Sequence, residues 1–457
     1  MACIKVYLML YDCCIWWKME KISRKNKDYF ATFVNSFWRI ISGPILLLCI
    51  PYFLTSLEQG YWYTFTGLSA LSIFADLGFT MIVLQFTAHE FAYLRFEDGR
   101  ELSGDIEHLW RLASFFRFVI SWLKKVLCIF FPVMLVGGYY FLSLKHDNID
   151  WQFAWMLYSL ASAGSFFNAS ILSFFEGCNS VGLLQSIRFR MSVVNISVTF
   201  ICLYIGLNIY ALGIALLTSI LISGGYILYY FRKVIIQLWM ISAKRCYEWW
   251  PEFSALIWRY GISWCSGYFI FQIFTPLAFY FHGADFSGKV GISIAMWTAG
   301  YSIANSWMTV IMPHINMLVA ERKWQELDTI FNRNLHKMVF TMIVGGGVYF
   351  ILYLFLNDKI SFFYRVLPNC AMIMLYISWI IQSWISGVAY YLRAHKREPL
   401  MKISIVSAIW VAITTYLCAR FLPPEYMFAG FLSQYWVVIV VYKILKKQQK
   451  EHLEAQA

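Results

Sequence analysis

The chain predicts an all-α integral membrane protein: about twelve transmembrane helices in two pseudo-symmetric six-helix bundles, both termini cytoplasmic. Three observations predict it. Of 457 residues, 60% are hydrophobic and only 14% charged, well short of the roughly 25% charge of a soluble globular chain. The apolar residues gather into long runs divided by short polar ones. Lysine and arginine are concentrated in alternate connections.

Taking roughly twenty apolar residues as the length needed to cross a bilayer, the runs fall at 37–57, 61–90, 118–143, 154–177, 187–207, 210–231, 257–281, 289–318, 337–356, 370–392, 402–421 and 427–444. The weakest division is Gly206-Leu207-Asn208-Ile209, between the fifth and sixth runs. Before the first run, Ile4 to Trp17 is apolar but short, and the basic cluster Lys18, Lys21, Arg24, Lys25 and Lys27 follows it. A signal peptide has the reverse order. The stretch 1–18 is therefore expected to be interfacial, or to lie upstream of a start at Met19.

The second run is the most informative. It opens Glu58-Gln59-Gly60-Tyr61-Trp62-Tyr63, carries Asp76-Leu77-Gly78 near its middle and closes with Gln85, His89 and Glu90. As one helix of roughly thirty residues it would rise about 45 Å. Its aromatic residues would meet the headgroups, and Asp76 would lie near the bilayer centre, where an ionised group needs protein, water or a partner.

The N-terminus, 91–117, the turns near Arg188, 232–256, 319–336, 393–402, the C-terminal tail and the helix ends beside them hold 32 of the 37 Lys and Arg. The other side has only Lys145, Lys289, Lys359, Arg365 and Arg420. This is the positive-inside pattern. It accounts for the net charge of +12 without a nucleic-acid partner. Stretches 101–117 and 320–336 alternate apolar and charged residues at helical spacing, as helices lying on the inner membrane face do. The eleven Cys are scattered, without metal or redox spacing.

The halves echo one another. Trp38-Arg39 opens the first run and Trp258-Arg259 the seventh, and Phe33 and Phe253 keep the same register. Six helices per half give both halves one orientation, with the symmetry axis along the membrane normal. The expected division is 1–36 cytoplasmic segment, 37–231 first lobe, 232–256 cytoplasmic linker, 257–445 second lobe and 446–457 cytoplasmic tail.

Gly43-Pro44 through Pro51, Gly60-Tyr61-Trp62, Ala75-Asp76-Leu77-Gly78-Phe79, Gln85 and His89-Glu90 together resemble the Wzx-type polysaccharide flippases, within the larger superfamily of multidrug exporters and the peptidoglycan-precursor flippase. The resemblance implies a V-shaped pair of six-helix lobes in a bacterial inner membrane. It further implies export, by alternating access, of an oligosaccharide repeat unit on undecaprenyl diphosphate, for O-antigen, capsule or exopolysaccharide. A polymerase and a chain-length regulator would be partners, beside the membrane lipids. Several members carry fourteen spans; stopping at twelve favours the sugar-repeat branch.

Such a head group needs cations for its diphosphate and amide or aromatic groups for its sugars. Arg39 and Arg259, at matching cytoplasmic ends of spans one and seven, are the candidates for the diphosphate, since guanidinium binds phosphate bidentately. Gln272, Asn305 and His314 are candidate substrate contacts deep in the second lobe, where Asn316 and Gln382 are also polar. Pro276 and Pro313 would bend spans seven and eight. Asp76 is the candidate for proton or sodium coupling, or for a pairing within its lobe. His89 and Glu90 form a solvated helix end, gate the cytoplasmic side or link to an arginine such as Arg95. Glu176 and Arg393, at matching places with opposite charge, could pair across a closing gate. No cofactor, metal site or catalytic set is expected. Alternatives are a cation-coupled exporter of small amphipathic molecules on the same fold, whose cavity should be acidic, and a membrane-embedded sugar polymerase or acyltransferase.

Overall fold

The computed structural model describes residues 24–97, 101–242, 247–356, 359–395 and 400–454; the stretch 1–18 lies outside them. Twelve helical passes follow one another. α1 (Arg24–Phe53) is the first. α2 (Ser56–Ser69), α3 (Ile73–Asp76) and α4 (Phe79–Phe91) make the second. Strands β1 (Leu94–Glu97) and β2 (Glu101–Gly104) form an antiparallel hairpin. Then come α5 (Ile106–Ser143), α6 (Trp151–Gly177), α7 (Val181–Tyr204) and α8 (Tyr210–Ser242). The seventh pass is α9 (Trp250–Phe271) with α10 (Phe274–His282). α11 (Ala284–Ala320), α12 (Trp324–Leu356), α13 (Asn369–Ala394) and α14 (Met401–Phe421) follow. α15 (Ala429–Leu432) and α16 (Trp436–Glu454) complete the twelfth.

Seven helical segments, plus the bent α2–α4 pass, are long and apolar enough on their own to cross a membrane. The passes that fall short are α1, α6, α9–α10 and α11. Three of these enclose the cavity described below, and α6 buries Ser159, Ser162, Asn168, Ser170 and Ser173 inside its bundle. Polar residues facing protein or a wet cavity lower hydropathy without exposing polar groups to lipid.

The second pass is not one continuous helix. It bends by 42° where Leu77 (φ 46°) and Gly78 (φ 77°) adopt left-handed backbone. Glycine takes that conformation at no steric cost, so Gly78 allows the break. Asp76 compensates for it: its carboxylate accepts from the Thr80 N–H at 3.1 Å and the Thr80 hydroxyl at 3.2 Å. It thereby satisfies a donor that the restarting helix would leave orphaned. The expected surface helices are corrected as well. The stretch from Ile106 continues unbroken into α5, and that from Trp324 into α12. Their amphipathic turns are cytoplasmic extensions of membrane passes, each buried against its own bundle through residues such as Leu112, Phe115 and Phe331. Between α7 and α8 the division falls where expected, with Gly206 (φ 81°) and Asn208 (φ 43°) left-handed.

Helix α9 crosses between the halves. Its first turns place Trp249, Phe253 and Ile257 in the buried core of the first bundle. Phe253 meets Phe79 and Phe118 edge-on at 5.5 and 5.1 Å. Further along, Ile270 and Phe274 belong to the core of the second bundle. The change of allegiance coincides with the break at Gln272 and Ile273 between α9 and α10. Pro276 lies just past this break, inside α10; α11 runs on as helix through position 313.

Candidate inter-lobe cavity and its two seams

The bundles meet most closely at the outer end, where α2 lies along the start of α11. Gly60 makes this possible: a Cβ there would lie 2.0 Å from the Ala284 carbonyl oxygen. A Cβ at Gly288 would lie 2.9 Å from the Gly60 nitrogen, and one at Gly291 2.2 Å from the Tyr63 Cβ. Close backbone approach of this kind is how helices associate in lipid, where burial from water gives no drive. Polar groups complete the seam. The Gln59 amide donates to the carbonyls of Gly288 at 2.9 Å and Arg365 at 3.3 Å. The hydroxyls of Thr64 and Ser287 are 2.9 Å apart. Arg365, from the turn before α13, donates to the Ser56 hydroxyl at 2.6 Å and to the Leu54 carbonyl at 3.1 Å. Glu58 closes a capping box with Thr55 and accepts from Asn208 of the first bundle.

Directly beneath lies a cavity of about 360 Å³. Gly43 and Pro44 of α1, Tyr63 and Thr66 of α2, Gln272 and Thr275 of the seventh pass, and Thr298 and Ser302 of α11 line it. No charged residue is among its described lining residues. Along α11, Ala304, Met308, Ile315 and Leu318 are buried in the second bundle. The opposite face carries Ser302, Thr309 and Asn316, all exposed, with Ser306 half-buried. A polar stripe therefore runs from the cavity toward the cytoplasmic end of α11. Beneath the outer seam the cavity wall mixes apolar residues such as Ile40, Pro44 and Ile294 with the hydroxyls of Thr66, Thr275, Thr298 and Ser302.

The two flanks differ. On one, α3 and α4 seal against α9: a Cβ at Gly261 would touch Leu77 at 3.1 Å, and Phe74 packs on Tyr268 at 5.5 Å. On the other, α1 reaches the second bundle's buried core through Leu47, Ile50 and Leu54 of its outer half. Its inner half is tied to α7, by Asn35 to Gln185 at 2.8 Å and Trp38 to Ser192 at 3.1 Å.

The sequence-based candidates distribute unevenly. Gln272 lines the cavity. Arg39 stands one helical turn before Gly43 and Arg259 two residues before Gly261; both side chains lie outside the described residues. Asn305 instead donates to the Tyr390 hydroxyl at 3.1 Å, between α11 and α13. His314 is exposed on α11. Glu176 is held within its own bundle by Arg188 at 2.6 Å and Gln185 at 3.4 Å.

Glu90 is neither a solvated helix end nor a partner of Arg95. Its side chain is 3% exposed, with His108 at 2.8 Å and Arg111 at 3.1 Å; His89 stays exposed beside it. The hairpin returns the chain so that α5 delivers both partners. Tyr93 stacks on His108 at 3.9 Å, and the Arg111 guanidinium lies over the rings of Tyr247 and Trp249 at 4.6 and 5.2 Å. The Tyr247 N–H donates to Ser114, and its hydroxyl to Glu252, a bond that pushes the phenol pKa above its ordinary value. This node fastens the connection between the lobes to the first bundle.

Sequence reasoning marked Gln59 and Gly60 only as the opening of the second run, not as an inter-lobe contact, and it did not single out Thr64, Ser287 or the α11 hydroxyl stripe. The small-xxx-small spacing of Ala284 and Gly288 is the signal that could have found the seam.

No protein-family model matches the sequence, and no curated protein matches it. Solved structures do. The chain resembles a multidrug resistance MATE family transporter of the MOP superfamily in an inward-facing conformation, with TM-score 0.57, 12% identity, and coverage of 90% of this chain and 99% of that one. It also resembles the lipid II flippase MurJ in an inward closed conformation, with TM-score 0.62, 12% identity, and coverage of 94% and 90%. The chain shares the fold of these two transporters. At such identity the likeness concerns the path of the chain, two lobes of six passes each, and nothing of the substrate.

Two outcomes are expected. Gly60→Leu cannot close against Ala284, so an impermeant thiol reagent applied from outside should reach a cysteine at Thr298 at least roughly ten-fold faster than in the parent; an unchanged rate would contradict the seam. Glu90→Ala leaves the Arg111 charge unpaired, at a cost of roughly 3 kcal/mol, and should lower the melting temperature in detergent more than Glu90→Gln does. An unchanged melting temperature would contradict the node.

Proposed function

We propose that the chain is a flippase that carries a lipid-linked oligosaccharide from the cytoplasmic to the outer leaflet of a bacterial inner membrane by alternating access. The supporting observation is the character of the inter-lobe cavity. Among apolar residues such as Ile40, Pro44 and Ile294, its lining offers one phenol, one amide and several hydroxyls, and no carboxylate. Sugar hydroxyls are both donors and acceptors and match such a lining, with Tyr63 supplying an aromatic face. At about 360 Å³ the cavity is near the lower bound of about 300 Å³ for small-molecule sites, so a longer glycan would extend along the α11 hydroxyl stripe. The flank between α1 and α11 is where a polyprenyl tail would remain in the bilayer. Arg39, next to the cavity-lining Ile40, and Arg259 would meet the diphosphate.

Asp76 is committed to Thr80 at the break of the second pass, which favours a structural role; proton or sodium coupling through it would require breaking that cap. Export of small organic cations is the second reading, because a MATE transporter is among the structural neighbours. An acidic cavity would suit it, and none of the described lining residues is acidic.

Expression in strains lacking their own repeat-unit flippase, across a panel of glycans, should restore surface polysaccharide in at least one. Arg39→Ala and Arg259→Ala at normal membrane levels should each cut restoration at least roughly ten-fold. Failure on every glycan, with lowered ethidium accumulation, would replace the flippase reading with the multidrug one.

A further inference from the structure

A second groove lies outside the inter-lobe cavity, on the cytoplasmic edge of the first bundle. It holds about 220 Å³ and is lined by Phe118, Ser121, Trp122 and Lys125 of α5 and by Trp250 at the start of α9. Its depth follows from the sequence. Residue 118 opens the apolar run of the third pass, and Trp250 precedes that of the seventh, so the groove sits where hydrocarbon gives way to headgroups. Its chemistry is one-sided. Lys125 is exposed and takes part in no described ion pair, Ser121 is exposed, and no carboxylate lines the groove. The floor is aromatic: the rings of Trp122 and Trp250 pack at 5.3 Å, with Phe253 behind Trp122 at 5.9 Å.

We propose that this groove binds the headgroup of an anionic phospholipid of the cytoplasmic leaflet. The Lys125 ammonium faces the phosphate, the Ser121 hydroxyl donates to it, and the glycerol and first acyl carbons lie on Trp122 and Trp250. Indole rings favour that depth of the bilayer, and a lysine there gains about 1 kcal/mol from an anionic leaflet before any specific contact forms. A neutral zwitterionic lipid would bring its own cation toward Lys125, which sets the selectivity. The groove also joins two elements that belong to different lobes by sequence, since α5 lies in the first and α9 opens the second. A lipid seated there bridges them on the flank already sealed by Phe79 and Phe253.

The test uses the purified full chain in neutral detergent, titrated separately with phosphatidylglycerol, phosphatidylcholine and inorganic phosphate. Bound lipid is read by native mass spectrometry and melting temperature in parallel. The parent should bind phosphatidylglycerol at least roughly five-fold more tightly than phosphatidylcholine, with a matching rise in melting temperature. Lys125→Ala should remove most of that preference, Lys125→Arg should keep it, and Lys124→Ala, which alters a lysine outside the groove, should leave it unchanged. The proposal is overturned if Lys125→Ala retains the full preference, if the parent shows none, or if inorganic phosphate alone gives the same shift. None of these outcomes depends on which substrate the inter-lobe cavity carries.

Discussion

The contact between α2 and α11 governs the rest of the molecule. Two helices in a bilayer gain little by hiding apolar surface from each other, so adhesion comes from close approach and from polar groups that would be costly to leave facing lipid. Gly60, Gly288 and Gly291 let the backbones approach until a single added carbon would collide. Gln59, Thr64, Ser287 and Arg365 then spend their hydrogen bonds across or beside the contact. This seam decides that the outer end is shut, and it locates the cavity immediately beneath, where Gly67, Thr66 and Thr275 keep the helices near without filling the space.

A seam of hydrogen bonds can be exchanged for water, whereas an interdigitated aromatic core cannot be parted cheaply. The two flanks differ in that respect. The α4–α9 flank is cemented by Phe79, Phe253 and Trp122 and by the buried Glu90 node. On the α1–α11 flank, the inner half of α1 is instead tied to α7 of its own bundle, by Asn35 and Trp38. Opening of the outer seam with the α4–α9 flank held as a pivot is the motion that this distribution of interactions favours. The broken passes, at Leu77–Gly78 and at Gln272–Ile273, flank that pivot.

Much of this architecture was legible in the sequence because bilayer physics writes it in bulk. Spans need long apolar runs, so the twelve helical passes followed from counting. What depended on single backbone angles or distant pairs did not. Asp76-Leu77-Gly78 was visible as an interruption, but its effect, a left-handed break capped by Thr80, was not. The Asp98-Gly99 dipeptide between short alternating runs signals a hairpin, yet the stretch read as helix because the turns after Asp105 are strongly amphipathic. Glu90 looked like a solvated helix end because its partners, His108 and Arg111, arrive only once the hairpin reverses the chain. The seam joins residues more than two hundred positions apart, and only the Ala284–Gly288 spacing hints at it. Of the proposed substrate contacts, Gln272 reached the cavity; Asn305 turned to Tyr390, since an amide inside a bundle finds a partner there more readily than a ligand.

The account turns on the outer seam opening during transport. The Thr64 and Ser287 hydroxyls, 2.9 Å apart, mark where cysteines could be joined across it. In a background without other reactive cysteines, a Thr64→Cys, Ser287→Cys pair should form a disulfide on oxidation. Surface delivery of the glycan should then stop and return on reduction, while each single variant stays active. A crosslinked protein that exports at the full rate would contradict the account, because the path would not pass between α2 and α11.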